Sequence, residues 1–182
     1  MTPGEKLVQL GSTYVYELLN GDQLDPERAR EILSHGIGQV SRIGGASALP
    51  PAQVAALANR IQTYLRDETR LGIPAMVHEE CLAGYMATGG TSFPQGIGMA
   101  ASWDPALAHD IASAVARQLR SAGAHQGLAP VLDVCRDPRW GRVEETAGED
   151  PYLVAAMGTA TIRGLQTGDN ATAIVATAKH FA

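Results

Sequence analysis

The sequence predicts an α/β fold, and three observations carry that prediction. Four short apolar runs rich in β-branched residues, at 36–42 (GIGQVSR), 73–78 (IPAMVH), 128–134 (LAPVLDV) and 173–178 (AIVATA), read as strands buried on both faces of a parallel sheet. Helical patterns with readable start signals lie between them. The intervening stretches have the length that a crossover between parallel strands needs. Four such units fit either a doubly wound sheet or half of an eight-stranded barrel, which normally takes about 250 residues.

The elements follow in order. Asp25-Pro26 offers an N-cap and a first helical residue, with Ala29, Ile32 and Leu33 as the stripe behind them. Pro51 opens a longer helix in which Val54, Leu57, Ala58, Ile61 and Leu65 recur at three- and four-residue spacing and share one face. Asp104-Pro105 starts the next, with Leu107, Ile111, Val115 and Leu119 expected inward and Gly123 available to end it. Asp150-Pro151 starts the fourth, with Leu153, Met157, Ala160 and Leu165 expected inward. The connection over 79–104 is rich in Gly and Thr and follows the C-terminal end of a strand, where α/β enzymes build their sites.

Composition narrows the function classes. A chain of 182 residues, 45% hydrophobic, suffices for one packed core. A net charge of -5 with few basic clusters argues against nucleic acid and anionic membrane surfaces as partners. No stretch approaches the ~18 apolar residues of a membrane span, and residues 1–20 lack a basic start followed by an apolar core, which favours a cytoplasmic location. Cys81 and Cys135 match no zinc spacing and define no disulfide framework.

The chemistry-bearing residues collect at predicted strand ends. His78-Glu79-Glu80-Cys81 looks like a metal cluster, but neighbours in an extended segment point to opposite faces and cannot converge on one ion. Glu80 is the carboxylate expected to receive hydrogen bonds from a polar ligand; the bland reading is a surface ion pair. In the run 136–142 (RDPRWGR), Trp140 and Gly141 set a flat apolar ring beside the fixed donors of Arg142. That combination suits a sugar, whose face is apolar and whose rim is hydroxyl. The same run also reads as a loop tied down by salt bridges, and Glu144, Glu145 and Glu149 supply acids for the arginines. For Lys179 and His180 both to reach a ligand, the backbone must be irregular there, through a bulge or a cis peptide. Two glycine patterns, at 36–38 and 96–101, suggest a dinucleotide loop. The first lacks its third glycine and the second follows Phe93-Pro94-Gln95 instead of a strand.

Taken in order, Arg70-Leu71-Gly72-Ile73-Pro74, His78-Glu79-Glu80, Phe93-Pro94-Gln95, Asp137-Pro138-Arg139-Trp140-Gly141-Arg142, Gly148-Glu149-Asp150-Pro151 and Lys179-His180-Phe181 resemble the N-terminal domain of glycoside hydrolase family 3. The resemblance covers nearly the whole chain. It implies a TIM-like (β/α) barrel, of which residues 1–182 are about the first half, truncated before the nucleophile. It further implies an exo-acting retaining β-glycosidase of the β-glucosidase or β-xylosidase kind, without metal or organic cofactor. At the matching positions, it implies that Glu80 holds distal sugar hydroxyls while Arg142, Lys179 and His180 grip the non-reducing sugar. An aspartate is common where Glu80 stands, and the longer glutamate is expected to favour xylose. Two features depart from the pattern. Val143 stands where some members carry a second cysteine, which leaves Cys135 without that partner. The family's nucleophile and acid/base belong to later segments, so no catalytic residue is assigned here.

Retaining hydrolysis needs two carboxyl groups about 5–5.5 Å apart, and the sequence offers no convincing pair. Residues 1–182 alone are therefore expected not to turn over substrate, and a half barrel with unpaired edges is expected to self-associate. The rival reading is a non-catalytic carbohydrate-binding half barrel. A nucleotide-binding domain would require the glycines at 96–101 to open a helix directly after a strand.

Overall fold

The structure, a computed structural model, describes residues 1–169 and 171–181. They fall into two compact units: residues 1–79, 87–89 and 121–125 form the first, and residues 80–86, 90–120 and the described residues from 126 onward form the second.

The first unit opens with α1 (Pro3–Val8), which no apolar stripe announces. A capping box starts it: the Glu5 N–H donates to the Thr2 hydroxyl at 3.2 Å and the Thr2 N–H donates to the Glu5 carboxylate at 2.6 Å. That carboxylate also takes both arms of Arg70, at 2.7 and 2.6 Å, and the guanidinium beside it pulls its pKa down to about 2. After β1 (Ser12–Tyr14) comes a 3-10 turn and a small antiparallel hairpin of β2 (Leu19–Asn20) and β3 (Gln23–Leu24). Asp25 caps α2 (Pro26–Leu33) by accepting from the backbone N–H groups of Glu27 and Arg28, and Ala29 and Leu33 are buried.

β4 (Gln39–Ser41) lies parallel to β1, and β5 (Met76–Glu79) lies parallel to β4. β4 falls within a run expected as a strand, and β5 starts in one and ends a residue beyond it. Ahead of β4, a Cβ on Gly38 would sit 1.9 Å from the Gln9 carbonyl oxygen, so only glycine lets the two backbones approach this closely. Between the strands, α3 (Pro51–Glu68) buries Val54, Leu57, Ala58, Ile61 and Leu65, the stripe its spacing predicts.

In the second unit, α4 (Gly96–Ala100) is five residues long and follows a loop, not a strand, so the glycines at 96–101 do not form a dinucleotide turn. Gly96 is a packing glycine: a Cβ there would lie 2.3 Å from the carbonyl oxygen of Glu145. Asp104 caps α5 (Pro105–Ser121) through the N–H groups of Ala106 and Leu107. Val115 and Leu119 are buried as expected, but the face departs from the expected one at its start. Leu107 is 45% exposed, while Ala108, Ala112, Val115, Ala116 and Leu119 are buried.

The cause is the neighbouring helix α6 (Pro151–Leu165), capped by Asp150. A Cβ on its Gly164 would meet the His109 carbonyl oxygen at 2.4 Å and the Ala112 Cβ at 2.7 Å. The two helices thus approach backbone to backbone, and small residues take the seam that the larger side chains were expected to fill. Val154 replaces Leu153 on the buried face of α6 beside Met157.

β6 (Gln126–Gly127) pairs in parallel with β7 (Val175–Ala176). The run 128–134, expected as one strand, is broken: Pro130 has no N–H to give the ladder and its peptide with Ala129 is cis. Pairing resumes as a parallel bridge between Val131 and Lys179, with the Leu132 N–H donating to the Lys179 carbonyl at 2.7 Å. Parallel strands alternating with helices make this an α/β fold, and this last bridge fixes the backbone just before His180. No disulfide joins Cys81 and Cys135, and no helix among the described residues is long and apolar enough to cross a membrane.

Candidate functional site

Chain order scatters them, but four of the five residues singled out above come together in the second unit. Lys179, held by the bridge to Val131, reaches Glu80 just past the end of β5, with Nζ 3.1 Å from Oε2. Next along the chain, the His180 ring lies between Asp133 and Arg142: Nδ1 is 2.7 Å from Asp133 Oδ2 and Nε2 is 2.9 Å from Arg142 Nη2. The Lys179-His180 peptide is cis, one of the two irregularities that allow both side chains to join one cluster.

Arg142 begins the 3-10 turn Val143–Glu145, and that turn brings Glu145 under its guanidinium. Nε and Nη2 donate to the two carboxylate oxygens of Glu145 at 2.6 and 2.7 Å, a two-pronged clamp. This is the acid that pairs with an arginine; Glu144 and Glu149 have no such bond in the cluster. The clamp holds the Glu145 carboxyl below its ordinary range and raises the guanidinium further.

A carboxyl held down in this way stabilises the fold above its ordinary pKa of 4.5 and loses that contribution only as the pH falls through the lowered value. The clamp is therefore expected to survive at pH 4.5 and open in stronger acid. A titration of the Glu145 side-chain carboxyl carbon by NMR checks this, and a midpoint at or above 4.5 would contradict it.

Trp140 stands beside this cluster in sequence without bonding to it. Its backbone N–H donates to the Asp137 carbonyl in a tight turn, and 40% of its surface is exposed. The bland reading of the run 136–142 holds for its first half: Arg139 is tied to Asp137 through Nε and Nη2, so that pair braces the loop.

The quartet at 78–81 also separates. His78 Nε2 lies 2.8 Å from the Ser41 hydroxyl, and Glu79, 1% exposed, accepts the backbone N–H groups of Gly44 and Gly45. Adjacent carboxylates thus take different tasks, Glu79 bracing a turn and Glu80 entering the cluster.

Asp133 was not singled out from sequence, although it sits at the charged end of the apolar run 128–134, the same signal that selects Glu80. The site that results is two cations, three carboxylates and an imidazole. Their side chains range from 12% exposed at Lys179 to 44% at Arg142. Fixed donors and acceptors, partly desolvated and alternating in sign, suit a neutral ligand rich in hydroxyl groups.

A β-xylosidase of Formosa agariphila is 46% identical over 122 residues, which is 62% of this chain and 17% of that protein. A periplasmic β-glucosidase/β-xylosidase of Dickeya chrysanthemi is 31% identical over 153 residues, 78% of this chain and 23% of that protein. Among solved structures, a β-glucosidase from Erythrobacter marinus superposes with a TM-score of 0.89 at 34% identity, covering 100% of this chain and 24% of that one. The chain thus spans about a quarter or less of the length of these relatives. The family described as glycosyl hydrolase family 3 N terminal domain matches residues 2–182. With that match over residues 2–182 and strands and helices alternating as in a partial TIM-like barrel, the chain belongs to glycosyl hydrolase family 3.

Proposed function

We propose that this chain supplies the sugar-gripping part of an exo-acting, retaining β-glycosidase that cleaves terminal, non-reducing β-linked glucose or xylose. The observation that carries the reading is the convergence of Glu80, Lys179, His180 and Arg142 in one partly open cluster. In this reading Glu80 accepts from distal hydroxyls, Lys179 and Arg142 donate to ring hydroxyls, and Trp140 offers its exposed ring to the apolar face of the sugar. The relatives named as β-xylosidases and β-glucosidases support the substrate class.

The carboxylates of the cluster are engaged in holding cations and the imidazole, which suits positioning rather than attack on the anomeric carbon. The reading therefore places the nucleophile and the acid/base on segments other than these 182 residues. Positioning groups still speed the reaction, through hydrogen bonds that tighten as the sugar flattens toward its oxocarbenium-like state.

Calorimetric titration of the 182-residue protein with methyl β-D-xyloside and methyl β-D-glucoside tests the reading. Binding of at least one, without release of aryl alcohol from the matching aryl glycosides, is expected. Hydrolysis by this chain alone would overturn the division of labour, and absence of binding would overturn the sugar grip. Sedimentation of the same sample is expected to show self-association, since β1 and β7 have ladder partners on one side only among the described residues. A single monomeric boundary would contradict that.

A further inference from the structure

His180 lies between two groups of opposite and fixed character. The Asp133 carboxylate, 2.7 Å from Nδ1, can only accept, and the Arg142 guanidinium, 2.9 Å from Nε2, can only donate. Only one form of the ring satisfies both. With the proton on Nδ1, the ring donates to Asp133 and its Nε2 lone pair receives Arg142. The other neutral tautomer would turn a lone pair toward a carboxylate and an N–H toward an N–H. An imidazolium would also aim an N–H at the guanidinium and place two cations side by side.

We infer that Asp133 is a positioning residue that holds His180 as the neutral Nδ1–H tautomer and so makes Nε2 a hydrogen-bond acceptor in the site. Asp133 also receives the His180 backbone N–H, at 3.4 Å, so one carboxylate steers both the ring and the chain that carries it. At the far end, Glu145 fixes Arg142 by two bonds, and the row Glu145, Arg142, His180, Asp133 begins and ends on an acceptor. Lys179, tied to Glu80, is the remaining charged neighbour and contributes no bond to this row.

A ligand that enters between Arg142 and His180 must replace both ends of the bond it breaks. It needs a donor for Nε2 and an acceptor for Nη2, close enough together to fill one gap. Two adjacent hydroxyl groups meet that demand, one donating to Nε2 and its neighbour accepting from Nη2. This assignment of a vicinal diol rests on the sugar-binding reading given above, whereas the tautomer does not.

The test is long-range 1H–15N NMR on protein carrying 15N-labelled histidine, with His180 assigned through His180→Gln. At neutral pH, Nδ1 of His180 is expected to show the shift of a protonated nitrogen and Nε2 that of a lone-pair nitrogen. Asp133→Asn, which keeps an acceptor oxygen, is expected to preserve this pattern, and Asp133→Ala to average the two shifts. A wild-type ring protonated on Nε2, or on both nitrogens, would overturn the inference, as would an Asp133→Ala spectrum identical to wild type. Addition of methyl β-D-xyloside is expected to move the Nε2 resonance while it stays of lone-pair type; conversion to a protonated nitrogen would overturn the acceptor role. If the tautomer is as stated and no sugar binds, the positioning role of Asp133 stands and the sugar reading falls.

Discussion

Glu79→Ala is expected to cost the protein about 1–5 kcal/mol of stability, from one buried and one half-buried backbone donor left unsatisfied, at about 1–3 kcal/mol for a fully buried one. The Glu79 carboxylate, 1% exposed, accepts the N–H of Gly44 at 2.6 Å and that of Gly45 at 3.1 Å, both in the turn that follows β4. A Cβ on Gly45 would lie 2.9 Å from Arg42 Nε and 3.1 Å from Glu79 Oε2, so guanidinium and carboxylate crowd the same side of that turn. Removing the acid therefore strands donors and also withdraws negative charge from beside a cation. Against a typical total of about 5–15 kcal/mol, the loss would be large. Glu79→Gln, which keeps one acceptor oxygen, should lose clearly less. Urea midpoints for the two variants decide the matter, and an alanine variant within about 1 kcal/mol of wild type would refute the assignment.

Arg142 is where the largest effect on ligand binding is expected. Its planar fork serves Glu145 and His180 together, and a charged hydrogen bond of this kind is worth about 1.5–3 kcal/mol. Arg142→Lys keeps the charge and loses the fork, and it should weaken sugar binding by about 10- to 150-fold. Arg142→Ala should go at least as far and leave Glu145, whose side chain is only 15% exposed, without its clamp. Paired titrations with methyl β-D-xyloside, checked against unchanged folding by circular dichroism, measure both. If the lysine variant binds as the native protein does, Arg142 is a scaffold residue and the grip lies elsewhere.

What could be read from sequence depended on the length of each signal. The stripe of α3 runs over most of its eighteen residues, so its five buried positions follow from spacing alone. The Asp-Pro pairs at 25–26, 104–105 and 150–151 mark helix starts because cap and first residue are adjacent, and each aspartate is seen to cap. β1, β2 and β3 have three residues or fewer, too short for any alternation to show. On α5 the spacing placed Val115 and Leu119 correctly but also favoured Leu107, whereas the approach of Gly164 on α6 makes Ala108 and Ala112 the buried residues.

The site divides in the same way. Glu80, Arg142, Lys179 and His180 stand in motifs that chain order alone makes conspicuous, and the fold gathers all four. Glu145 was one of three acids the sequence offered to the arginines, and Asp133 sat unremarked at the end of an apolar run; which of them pairs with the guanidinium or the imidazole is set by tertiary approach.

The glycine at 96 links the loop over 79–104 to this cluster. Its missing side chain leaves 2.3 Å between a would-be Cβ and the carbonyl oxygen of Glu145, and 3.0 Å to that of Thr146. Anyone randomising this loop to redirect selectivity would meet a hidden coupling there: a substitution at 96 displaces the anchor of Arg142 and would be scored as a change of preference. A library that holds position 96 invariant and varies its neighbours would separate altered recognition from a dislodged arginine.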